Sequence, residues 1–193
     1  MRQKGTIPNS AANDHPFFMK KEKLKKQFEV LQQKRKQLIE IVASADAGLL
    51  NRSPAEGKWS ILQILYHVRA SEAGTLRYIE KKLSFSPDGL ASSSFLSGAK
   101  LLLLEITLRS PLKFKAPKGL DVFPEKLALE EINADWDQSD KGFLQLIDRL
   151  DERQLGWQLF KHPIIGRLDM QQTIKFMISH FDHHARQIKR LTS

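Results

Sequence analysis

Apolar residues recur at helical spacing along most of this chain, and the breaks between the runs divide it into segments. Leu24, Phe28, Leu31, Leu38, Ile41 and Val42 mark a first helix from about Phe17 to Ala45. Asn51, Ser53, Pro54 and Gly57 punctuate the connection that follows, Asp46 to Gly57. Ser60 and Gln63 then form an S-x-x-Q capping box, which starts a second helix running to about Leu83. Its apolar face is Ile61, Ile64, Leu65, Val68 and Ile79. Ser84 to Ser94 is rich in Ser, Pro and Gly and reads as a loop, with a shorter helix expected from about Phe95 to Leu108. Three prolines and one glycine exclude a helix from Ser110 to Pro124, where KFKAP reads as an extended segment laid across the other elements.

Helical spacing returns from Leu127 to Leu150 through Leu129, Ile132, Trp136, Phe143, Leu146, Ile147 and Leu150. FKHPIIGRLDMQQ, with Pro163 and Gly166, reads as a loop. Within it Asp169 and Gln172 make a second capping box, which launches a last helix striped by Ile174, Met177, Phe181, Ile188 and Leu191. No run alternates enough to demand a sheet, and there is no internal repeat. The pattern predicts an all-α protein: a bundle of four long amphipathic helices with one short extra helix. Residues 1–16 carry basic side chains but no apolar h-region and read as a flexible leader, leaving one bundle domain over residues 17–193.

Composition narrows the chemistry. A chain of 193 residues with 41% hydrophobic and 27% charged residues is an ordinary globular domain with room for a sizeable core. The absence of cysteine excludes a disulfide scaffold, a thiol nucleophile and a cysteine-type zinc site. It also fits a reducing compartment, so the expected location is the cytoplasm. No apolar run approaches the ~20 residues of a membrane span. The net charge of +9 raises nucleic acid as a partner, but its distribution argues against one. Lys20, Lys21, Lys23, Lys25, Lys26, Lys34, Arg35 and Lys36 concentrate the excess on the first helix, where they read as its solvated back. No aromatic residues interleave with them and no nucleic-acid-binding motif accompanies them. A basic surface that attracts an anionic small substrate explains the charge as well.

The histidines carry the candidate chemistry. Three of the six lie in IKFMISHFDHHARQIKRL, Ile174 to Leu191. His180 and His184 are four apart, hence one above the other at the edge of the apolar stripe, while His183 lies about 60° further round. Such a pair serves equally well as two partly buried histidines or as two ligands of a divalent ion. His67, midway along the second helix, also sits at the margin of its stripe. Alone it reads first as a core histidine; with His180 and His184 it makes a three-histidine set of the kind found at catalytic zinc sites. Gln187, three residues after His184, can orient that ring or simply make a helix contact. Trp59 and His162 flank helix starts and are candidates for a pocket mouth, although Trp59 fits the core at least as well. Glu72, about 140° round the helix from His67, reads as a surface or helix-pair charge, and Asp182 points away from its neighbouring histidines.

WSILQILYH, Trp59 to His67, together with HFDHHARQI, His180 to Ile188, resembles the DinB-like (DinB/YfiT) family. NRSPAEGKWS, Asn51 to Ser60, and HPIIGRLDMQQ, His162 to Gln172, are similar to segments of that family too, so the likeness runs from about Phe17 to Leu191. The resemblance implies a four-helix bundle of up-down-down-up connectivity, often a homodimer, with a divalent metal on His67, His180 and His184. His183 falls beside the ligand positions. It also implies one of two activities on a small molecule. One is metal-dependent hydrolysis; the other is transfer dependent on a low-molecular-weight thiol such as bacillithiol or mycothiol. A metal- or small-molecule-binding bundle without turnover is the alternative. Imidazole suits several ions, with zinc or nickel expected first and iron or manganese next.

Overall fold

A computed structural model describes residues 16–85, 99, 101–103 and 121–192. Four long helices dominate it: α1 (Pro16–Ala43), α3 (Ile61–Ser84), α4 (Leu129–Arg149) and α6 (Met170–Thr192). Single-turn helices α2 (Ala47–Leu50) and α5 (Glu152–Leu155) sit in the connections, and strands β1 (Phe160–His162) and β2 (Gly166–Leu168) precede α6. Among the described residues, no helix is long and apolar enough to cross a membrane. The expected leader, the loop after Phe85, most of the short helix at 95–108 and the KFKAP segment lie outside the described residues.

Local chemistry sets the helix starts. Ser60 accepts from the backbone N–H of Gln63 while the Gln63 side chain accepts from that of Ser60, so both ends of the capping box are made. Asp169 and Gln172 make the same reciprocal pair at the start of α6. On α1 the buried positions step 24, 28, 31, 35, 38 and 42, alternating by four and three, so one stripe faces inward. Position 35 on that stripe is arginine, and Arg35 is 4% exposed, contrary to its expected place on the solvated back. Ile41, expected inside, falls off the stripe and is exposed.

Side-chain pairs give the helix directions. Lys25 near the start of α1 meets Asp148 near the end of α4, and Arg35 meets Asp140, so α1 and α4 are antiparallel. Arg69, Glu72 and Glu80 of α3 meet Asp135, Trp136 and Arg149 of α4 in the same order, so these two helices are parallel. A parallel pair needs a long crossover, which the span between Ser84 and Leu129 supplies. With α6 as its fourth member the fold is an up-down-down-up four-helix bundle.

Trp136, Phe28, Phe143, Leu31 and Leu146 fill the centre, with the Phe28 and Phe143 rings 5.2 Å apart. In place of the expected loop, segment 160–168 forms an antiparallel hairpin pairing Phe160 with Leu168 and His162 with Gly166. Gly166, at φ +85°, makes its return turn, a conformation that glycine adopts without a Cβ penalty.

Candidate metal centre

His67 on α3 and His180 and His184 on α6 meet where the apolar stripes of the two helices face each other. One ligand-type atom from each ring lies within 4.8 Å of the other two. His180 Nε2 is 3.3 Å from His67 Nε2 and 3.2 Å from His184 Nε2. Two nitrogens bound tetrahedrally at about 2.0–2.1 Å from a zinc-sized ion stand about 3.3–3.4 Å apart, so this spacing fits a shared cation. His67 and His184 are buried, while His180 is half-buried.

A sequence model of the DinB superfamily matches residues 31–188. The chain belongs to the DinB superfamily. Among solved structures it is similar to YfiT from Bacillus subtilis, described as a probable metal-dependent hydrolase with an unusual four-helix bundle topology. The two share 14% identity at a TM-score of 0.57, over 99% of this chain and 91% of YfiT. No curated protein matches the chain.

The surroundings of this DinB-superfamily cluster favour neutral rings. Burial pushes the His184 imidazole down to about 3, with His67 adding to the effect. Burial, then His184 and His67, holds His180 well below the usual histidine range. Neutral imidazole is the form that ligates a metal. Gln187 makes the hydrogen bond considered for it: its Oε1 lies 2.9 Å from His184 Nδ1. A carbonyl oxygen only accepts, so Nδ1 carries the proton and Nε2 presents its lone pair to the cluster. The Gln187 amide N–H donates to His183 Nε2 at 3.0 Å, and His183 stays outside the cluster.

Trp59 is partly buried, and its ring packs 4.9 Å from that of His67 and 5.2 Å from that of Phe123, so it both flanks the site and joins the core margin. His162 is buried on the hairpin beside Phe176 at 4.5 Å. Its Nδ1 accepts from the backbone N–H groups of Ile164 and Ile165 at 3.2 and 3.4 Å, and burial pushes it down to about 4. The sequence pattern does not single out Phe176, yet its ring stacks on His180 at 5.5 Å. The signal was its position four residues before a candidate ligand.

Glu72 is a helix-pair charge but not a surface one, at 2% exposure. Trp136 Nε1 donates to its Oε2 at 2.9 Å, and Arg35 lies 3.7 Å from the same oxygen. Arg35 also pairs with Asp140 at 2.6 Å, so one buried cation faces two carboxyls. Burial outweighs Arg35 and pushes Glu72 up to about 7, which relieves the excess negative charge by protonation. Asp182, directed away from the cluster, pairs with Lys34 of α1 at 2.9 Å.

Proposed function

We propose that this chain is a metal-dependent enzyme that acts on a small molecule at a divalent ion held by His67, His180 and His184. The observation that carries this reading is the convergence of three Nε2 atoms, with 3.3 and 3.2 Å separations at His180. Three neutral ligands leave a tetrahedral ion its full charge and one open position. An ion bound there supplies Lewis-acid chemistry, activating water or a thiol. The chain's own part is to keep the His180 and His184 imidazoles neutral, to fix the His184 tautomer through Gln187, and to wall the site with Trp59 and Phe176.

Hydrolysis is the first reaction to test, supported by the description of YfiT as a probable metal-dependent hydrolase. Thiol-dependent transfer is the second reading. It is favoured by the engagement of Glu72 with Trp136 and Arg35 and of Asp182 with Lys34, which leaves neither carboxylate placed to act as a base. A homodimer in the cytoplasm, with zinc or nickel as the ion, completes the proposal.

An esterase and amidase panel run beside a screen of low-molecular-weight thiols with electrophiles, on metal-loaded protein, separates the two reactions. Turnover that disappears in His67→Ala supports the enzyme. Metal binding without turnover in any arm turns the proposal into a small-molecule-binding bundle.

A further inference from the structure

Gln187 lies between two histidines of its own helix. Its Oε1 is 2.9 Å from His184 Nδ1, and its Nε2 is 3.0 Å from His183 Nε2. A carboxamide has one accepting end and one donating end, so the two contacts depend on each other. With Oε1 towards His184, that ring carries its proton on Nδ1 and keeps a lone pair on Nε2. Turned end for end, the amide would donate to His184 Nδ1 and force the proton onto Nε2. That proton would point at His180 Nε2, 3.2 Å away, and His184 would be lost as a ligand. Both arrangements satisfy the hydrogen bonds of Gln187. They differ in what they require on the far side: an acceptor at His183 Nε2 for the first, a donor there for the second.

We propose that His183 is a positioning residue for the metal centre, which accepts from Gln187 and so holds the amide the way round that leaves His184 Nε2 free to ligate. The inference rests on the three-histidine metal reading and extends it one residue beyond the groups that touch the cluster. The His183 ring stands perpendicular to that of His184 at 5.0 Å, so its influence passes through the amide and not through a shared ion.

Zinc affinity of the full chain, measured by competition with a chromogenic chelator, tests it in a double-mutant cycle. His183→Lys replaces an acceptor by a group that only donates, whereas Gln187→Glu replaces the two-faced amide by a carboxylate that accepts on both sides. His183→Lys is expected to weaken zinc binding at least about tenfold more in the wild-type background than in the Gln187→Glu background, because only the amide can be turned the wrong way. Equal losses in the two backgrounds would show that the effect does not pass through the amide and overturn the proposal. A second readout needs no variant. Long-range 1H–15N NMR of the zinc-loaded wild-type chain at pH 8 should show the His183 and His184 protons on Nδ1, and a proton on His183 Nε2 overturns the proposal. Failure of the wild type to take up zinc overturns the metal reading itself, a result distinct from either.

Discussion

The His184 ring depends on a neighbour that fixes its chemistry. Gln187 gives His184 the tautomer a ligand needs, and hydrogen-bond partners of this kind are worth about 10–100-fold in metal affinity. Gln187→Leu should therefore weaken metal binding by about that factor while leaving the fold intact, read by chelator competition and circular dichroism. Glu72 poses the opposite problem, a carboxyl held inside the bundle. Its pKa is raised by burial from 4.5 to about 7, so between those values the folded chain holds a proton that the unfolded chain has released. Its contribution to stability consequently falls as the pH rises through that window, by at most about 1.4 kcal/mol per pH unit. Glu72→Gln keeps an acceptor for Trp136 and removes the titration. Denaturant midpoints should show the variant at least as stable as wild type at pH 8, and a large loss there would mean that the Arg35 attraction dominates.

At the scale of elements, the helices that carry the histidines are anchored close to them. Ser60 caps α3 less than two turns before His67, and Asp169 caps α6 three turns before His180. Replacing either by alanine should cost about 0.5–2 kcal/mol of stability, measured by chemical denaturation. A loss below that range would mean that packing alone sets the helix start. These long helices were legible in the sequence because each buries a stripe that repeats over many turns, and the capping boxes announced two of their starts. The hairpin was not legible, since three-residue strands are too short for alternation to register. Arg35 escaped for a different reason. Counted with its basic neighbours it belonged to the solvated face, whereas its place in the 4-3 stepping of the stripe puts it inside. Its partners Glu72, Asp140 and Trp136 come from other helices, and spacing along one helix cannot reveal them.

For the whole molecule, the protons bound in the folded and unfolded states set the pH response. His162 and His184 are pushed down to about 4 and about 3, and His180 is held well below the usual histidine range by burial and its neighbours. Below about pH 6.5 the unfolded chain binds protons that the folded chain refuses, so stability falls on acidification. Glu72 works the other way, but three rings outnumber one carboxyl. The metal-free protein should lose stability between pH 7 and pH 5, and His162→Phe should make the loss shallower; a flat profile would contradict the buried neutral state. The candidate site was legible in outline, because an i, i+4 histidine pair and a third histidine at a stripe margin are visible in one dimension. Their convergence is a property of the α3–α6 packing, which only the folded chain displays. Metal content of the purified, tag-free protein tests that convergence most directly. About one equivalent of divalent metal per chain is expected, lost in His67→Ala and in His184→Ala while the helical fold remains. A metal-free and equally stable wild type, or variants that keep their metal, would contradict the account.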